Sequence, residues 1–168
     1  MNKPFVAVLM GSDSDLPVLQ ATFEVLKTLK IPFEAKITSA HRTPEATLTY
    51  VKDADARGCA VFIAAAGLAA HLAGAVSAAT LKPVIGIPLD ASPLQGLDAL
   101  LSTVMMPGGI PVATVAVGKP GARNAAYLAA QILALSDPEL ASRLQAERSA
   151  NAAEVGAKDA KLQSDLLH

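Results

Sequence analysis

Continuous apolar runs alternate along this chain with stretches whose apolar residues recur every three or four positions. Residues 5–10 form the first run and end in the turn GSDSD; residues 16–29 then carry Leu19, Phe23, Leu26 and Leu29 at helical spacing. The change of period predicts strand, turn and helix. Asp15 is a candidate cap for that helix and Pro17 suits its first turn, because a carboxylate accepts from orphan amides and proline has none to satisfy. Residues 33–38 read as a second strand. In the SAHRTP segment after it, Thr43 is an N-cap candidate and Pro44 stands at the first position of a helix running to about Arg57. Gly58 closes that helix, residues 61–65 form a third apolar run, and the small-residue stretch 68–79 holds Leu72 and Val76 four apart. A fourth strand at 84–87, a helix at 97–105, a fifth strand at 112–117 and a helix at 122–135 complete the alternation.

Five strands alternating with helices predict a parallel sheet covered on both faces, since parallel neighbours need crossovers and right-handed crossovers lay helices against the sheet. The expected fold is a three-layer, doubly wound α/β sandwich of the flavodoxin-like kind with a C-terminal helical extension. Residues 1–135 make one α/β domain in this reading. Residues 136–168 are the extension, either part of that domain or strapped on a neighbouring subunit. There SDPE reads as a capping box, residues 137–154 as an amphipathic helix, and the polar stretch beyond about Gly156 as a tail that frays unless a neighbour holds it.

Composition adds one thing to this picture, an excess of apolar residues: 52% are hydrophobic and only 17% charged, against about 25% charged in an ordinary soluble domain. The segment 122–135, ARNAAYLAAQILAL, is apolar nearly all round yet too short to span a bilayer, so it predicts a helix buried on most faces and, in a small chain, a homo-oligomer. A formal charge of −1, no dense basic block, and no tryptophan argue against nucleic acid as a partner. The opening MNKPFVAVLMGSDSD has one lysine and an apolar run that breaks at Gly11, which fits neither a secretion signal nor a membrane span; a cytoplasmic location is expected. Cys59, the single cysteine, beside an apolar run, reads as a buried inert thiol.

In open parallel sheets, ligands bind beyond the carboxyl ends of the strands. Three turns fall there. Gly11 to Asp15 offers a glycine for a tight turn, hydroxyls that can donate to phosphate and a carboxylate that can accept from ribose hydroxyls, although the same residues also serve as an ordinary helix cap. There is no GxGxxG fingerprint, which argues against a dinucleotide. The second turn, residues 39–44, sets His41, a side chain that exchanges its proton near neutral pH, beside Arg42, whose guanidinium can clasp a phosphate or carboxylate; a surface histidine and a surface ion pair are the plain alternatives. The third, residues 66–71, ends in His71, either a second functional histidine or a hydrogen-bonded wall at a helix start. His168 is terminal and is given no role. His41 and His71 without a third partner make a poor zinc site, so no metal is expected.

The motifs GSDSD, SAHRTP, AAHLAG, LQGLDALLSTVMMPGGIPVAT and GARNAAYLAAQIL, in this order over about residues 6–135, resemble the N5-carboxyaminoimidazole ribonucleotide mutases, the catalytic carboxylase component of purine synthesis. The resemblance implies a doubly wound subunit in a homo-octamer, a site at subunit junctions, and neither metal nor organic cofactor. The implied substrate is a small aminoimidazole ribonucleotide. It assigns Ser12 and Asp15 to the ribose phosphate, Arg42 to substrate binding, His41 to proton transfer, and Ser39 with the 66–71 loop, Gly67 and His71 included, to the wall of a carboxyl pocket. The chain departs from the usual pattern at Ala65 and Leu68, where glycines are common, at Ala73 in place of proline and at Met105 in place of glutamine. A related subfamily carboxylates aminoimidazole ribonucleotide directly with carbon dioxide and typically has lysine after the histidine of SAH; Arg42 and the AAHL loop resemble the mutases. A nucleotide- or flavin-binding module without catalysis is the alternative of another class, because a fold alone implies no function.

Overall fold

The computed structural model describes residues 4–166; His168 lies outside them, as does the start of the amino-terminal segment. Five parallel strands form one sheet: β1 (Phe5–Met10), β2 (Phe33–Ile37), β3 (Cys59–Ala66), β4 (Val84–Pro88) and β5 (Ala113–Thr114), in the order β2-β1-β3-β4-β5. Helices α1 (Leu16–Thr28), α2 (Pro44–Ala56), α3 (Leu72–Ser77), α4 (Leu97–Val104), α5 (Gly118–Ala134) and α6 (Pro138–Leu166) follow the strands, and a 3₁₀ turn at Asp13–Asp15 leads into α1. This is the expected three-layer, doubly wound sandwich.

Alternation along the buried strands sorts the core into two halves. Val6, Val8 and Met10 of β1 and Val61, Ile63 and Ala65 of β3 point to α1 and α5. Ala7, Leu9, Phe62 and Ala64 point the other way, to α2 and α3. Thr22, fully buried on α1, donates to the Ala122 carbonyl of α5 at 2.7 Å and ties those two helices together. Gly86 of β4 leaves the room that Thr103 of α4 and Ala73 of α3 occupy. Cys59 is buried, and burial pushes its thiol up to about 11, which keeps it unreactive.

Several elements differ from their sequence pattern. The fifth strand is two residues long, not six: it lies at the sheet edge beside Pro111, and Val117 turns inward against the Gly96 turn instead of continuing the ladder. The helix expected from 122 begins at Gly118 and is buried on one face only, through Gly121, Ala122, Ala125, Ala126, Ala129, Ala130 and Leu133, while Arg123, Asn124, Gln131 and Leu135 are exposed. Small residues let α5 approach the sheet and α1 closely on that face, while α6 covers part of the rest, with Tyr127 of α5 donating to Glu147.

The last helix is capped by Asp137, which accepts from the Leu140 amide at 3.0 Å; Ser136 takes no part in a capping box. Leu140 joins the core and Arg143 donates to the Leu29 carbonyl at 3.0 Å, so the first turns dock. Beyond them the helix runs on to Leu166 with its side chains exposed, where a fraying tail was expected. Alanine-, glutamate- and lysine-rich sequence favours helix without burial, and the Glu154–Lys158 ion pair adds a little. Among the described residues, no helix is long and apolar enough to cross a membrane.

Candidate active site

The strand order reverses beside β1: the chain moves outward from β1 to β2, then returns past it to β3. At such a switch point the following loops part and leave a crevice. A cleft of about 500 Å³ opens there, and Ser12, Asp15, Ser39, His41, Arg42, Gly67 and His71 all line it, with Ser14, Leu72 and Ala91. A larger groove of about 770 Å³ lies between α5 and α6, among Arg123, Tyr127, Leu128, Leu144 and Arg148, away from both histidines.

The first turn is closed by its own side chains. Ser12 donates its amide to the Asp15 carboxylate at 3.0 Å, the Ser14 amide donates to Ser12 Oγ at 3.2 Å, and the Ser14 hydroxyl lies 2.9 Å from that oxygen. Asp15 therefore caps backwards onto Ser12 and makes no cap bond to α1, contrary to the cap that the Asp-before-helix pattern predicts. The geometry leaves amides and hydroxyls gathered around a buried carboxylate. Burial raises the Asp15 carboxyl above its usual range, against the lowering effect of the Ser12 and Gly11 amides and the Ser14 hydroxyl.

The second turn hangs from a set of threonines. Buried Thr38 and Thr47 place their hydroxyls 2.7 Å apart, and Thr43 Oγ1 accepts from the Ser39 amide at 2.9 Å. Thr43 thus fastens the loop instead of capping α2, where it makes no side-chain cap bond, while Pro44 does stand in the first turn. Ser39 Oγ accepts from the Arg42 amide at 3.1 Å, so this hydroxyl shapes the loop that presents His41 and Arg42. Both side chains are exposed to the cleft, and the Arg42 guanidinium has no ion-pair partner among the described residues.

The third turn follows β3 tightly. A Cβ at Gly67 would stand 2.9 Å from the Ala91 Cβ, so the loop after β4 leaves space only for glycine there. Leu68 takes a left-handed conformation, φ 57°, at a position ordinarily suited to glycine. The loop is anchored from α4: the Ala70 amide donates to Ser102 Oγ at 3.0 Å, and that hydroxyl donates to the Asp98 carbonyl at 2.6 Å. His71 ends the loop at the start of α3, and its Nδ1 lies 2.8 Å from Nε2 of His41.

Sequence pattern places every one of the seven candidate residues at this cleft, but it does not reveal the contact between the two histidines, nor Ser14, Ser102, Ala91 and the threonine set. Two histidines on turns flanking the same strand are the one signal from which the pairing was available. Among the described residues, no three His, Cys, Asp or Glu side chains gather in a metal-binding arrangement.

A family model described as AIR carboxylase matches residues 5–154. The chain is 51% identical over 161 residues to the N5-carboxyaminoimidazole ribonucleotide mutase of Mycobacterium tuberculosis strain H37Rv, covering 96% of this chain and 91% of that one. It is 48% identical over 154 residues to the protein of the same name from Escherichia coli K12, covering 92% and 91%. The crystal structure of Treponema denticola PurE superposes with a TM-score of 0.87 at 33% identity over 95% of this chain and 99% of the other. Likeness over nearly the whole length, in sequence and in fold alike, establishes that this chain belongs to the AIR carboxylase family.

Proposed function

We propose that the chain is an isomerase of de novo purine biosynthesis that converts N5-carboxyaminoimidazole ribonucleotide to 4-carboxy-5-aminoimidazole ribonucleotide. The observation that carries this reading is the gathering of a proton carrier, a free guanidinium and a hydroxyl- and amide-rich turn around one cleft with an alanine-rich wall. The mutase names of relatives about half identical over nearly the full chain support it.

The hydroxyls of Ser12 and Ser14, with Arg42, hold the phosphate, while Asp15 accepts from the ribose. The N5 carbamate breaks its nitrogen–carbon bond, His41 protonates the nitrogen, and carbon dioxide is released into the cleft. The ring carbon C4 then attacks the same molecule of carbon dioxide, and His41, now neutral, removes the C4 proton. One imidazole serves both steps, acid first and base second, and ends as it began. Ala66, Gly67, Ala69, Leu72 and Ala91 give a wall that keeps carbon dioxide near C4 and water away. Neither metal nor organic cofactor takes part.

The working form is a cytoplasmic homo-oligomer, an octamer by family resemblance, in which residues 1–135 form the catalytic domain; the first turns of α6 belong to that domain and its exposed remainder straps a neighbour. Supporting this, Leu97, Leu101 and Val104 on α4 and Leu135 at the end of α5 are exposed large apolar side chains. Light scattering of the purified protein at micromolar concentration tests the assembly: several chains per particle are expected, and a monodisperse single-chain species would overturn it.

Turnover tests the activity. The carboxylated substrate should be converted without ATP, metal or added bicarbonate, and carboxyl-labelled substrate should keep its label. Conversion only of aminoimidazole ribonucleotide with added carbon dioxide would replace the mutase reading with direct carboxylation.

A further inference from the structure

His41 and His71 come from turns on either side of β1 and meet ring to ring, with Nε2 of His41 2.8 Å from Nδ1 of His71 and the ring planes at 76°. Building on the reading of His41 as the proton-transfer residue, we propose that His71 is a positioning residue: it holds His41 in one tautomer and so selects His41 Nδ1 as the nitrogen that exchanges the proton.

A neutral imidazole carries a single N–H, so two ring nitrogens in contact have two arrangements. When His41 donates from Nε2, His71 accepts at Nδ1 and keeps its own proton on Nε2. Both rings are then in the Nε2–H form, the one neutral histidine favours in water. The opposite donation forces both rings into the less favoured form. The first arrangement also tolerates the arrival of a proton: on Nδ1 of His41 it leaves the Nε2–H donor in place, whereas on Nδ1 of His71 it sets one N–H against another and breaks the contact. The proton is thereby directed to His41 Nδ1, the ring nitrogen of His41 without a protein partner among the described residues. Asp15 and Arg42 are the other ionisable groups lining the cleft, and neither hydrogen-bonds to either ring.

His71 is itself held in place. The peptide before it is fastened to α4 through the Ala70 amide and Ser102 Oγ, and its own amide donates to the Ala69 carbonyl at 2.9 Å. A ring on a free loop would set no tautomer; this one is tethered on its backbone within one residue of the ring.

The chain has three histidines, which makes ring nitrogen spectra of the full-length, ¹⁵N-histidine-labelled protein simple to assign with single variants. In the unaltered protein, His41 and His71 are both expected as Nε2–H. His71→Leu fills the space without an acceptor: His41 should become a tautomer mixture, and kcat should fall about fivefold with KM within about twofold. His71→Asn puts an amide oxygen near where Nδ1 stood, and should restore the single His41 tautomer and most of kcat. Nδ1–H on His41 in the unaltered protein, unchanged His41 signals in His71→Leu, or equal kcat for the Leu and Asn variants would each overturn the proposal. The spectra need no turnover, so failure of the functional reading, seen as normal turnover in His41→Asn, is distinguishable from failure of this one.

Discussion

Arg42→Ala separates a substrate clasp from a surface cation. The Arg42 backbone amide donates to Ser39 Oγ, and alanine keeps that bond. The side chain is exposed and its guanidinium has no ion-pair partner among the described residues, so nothing in the fold depends on it. Stability should change by no more than about 0.5 kcal/mol, as for other exposed positions. In the complex, the lost interaction is a charge-assisted, two-pronged contact to an anion, about 2 to 3 kcal/mol. At about 1.4 kcal/mol per tenfold, affinity should weaken by about 30-fold to 150-fold. Arg42→Lys keeps the charge without the fork and should fall between the two. Calorimetric titration with the carboxylated product, KM and kcat, and a thermal melt measure the three quantities separately. Unchanged KM and kcat would make Arg42 a surface residue and refute the assignment; a fall in kcat with affinity intact would move it from binding to chemistry.

Asp15 gives a prediction with a definite sign in pH. Its carboxyl is raised in the folded protein, so its stabilising contribution is complete below the unfolded value of about 3.9 and is lost as pH rises through the folded value. Asp15→Asn still offers an oxygen to the Ser12 amide but has no such loss. Melting temperatures of the two proteins should therefore shift in favour of the variant as pH rises above about 4, and a shift the other way would show that the hydrogen bonds outweigh burial. Gly67→Ala adds a Cβ 2.9 Å from that of Ala91 at a backbone conformation alanine can adopt. Because the Ala91 Cβ can move only with its backbone, stability should drop by about 1 to 3 kcal/mol, the range for overpacking. Turnover should suffer more, and unchanged turnover would place Gly67 outside the carboxyl pocket.

β1, β3 and β4 are legible because parallel strands buried on both faces must be apolar nearly throughout; β2, an exposed edge strand of sequence FEAKI, is legible from its alternation of apolar and charged residues. β5 misleads for the opposite reason: Val112, Val115 and Val117 are apolar, but they serve packing at the sheet edge and around Gly96, and only Ala113 and Thr114 pair as strand. The helix pattern of 122–135 overstates burial, since its alanines from Ala122 to Ala130 are buried but Arg123, Asn124, Gln131 and Leu135 share an exposed face. At the site, residue types on the three turns were enough to bring His41, Arg42 and Ser12 together, because fold class alone places those turns at one edge. The cap assignments of Asp15 and Thr43 failed because each side chain found a closer amide inside its own loop. The histidine pair depends on the order β2-β1-β3, and the Ser102 anchor on a contact between positions 32 residues apart, neither of which leaves a local trace.

The most direct test of the account is turnover and ligand affinity of His41→Asn, with a thermal melt as the folding control. Asparagine keeps much of the shape of histidine but cannot carry the proton in either step. The variant should bind the ribonucleotide nearly as the unaltered protein does while kcat falls by at least about a hundredfold, the low end of what a positioned acid–base residue contributes. Normal turnover in His41→Asn, with turnover abolished in His71→Asn, would show that the proton belongs to the other histidine.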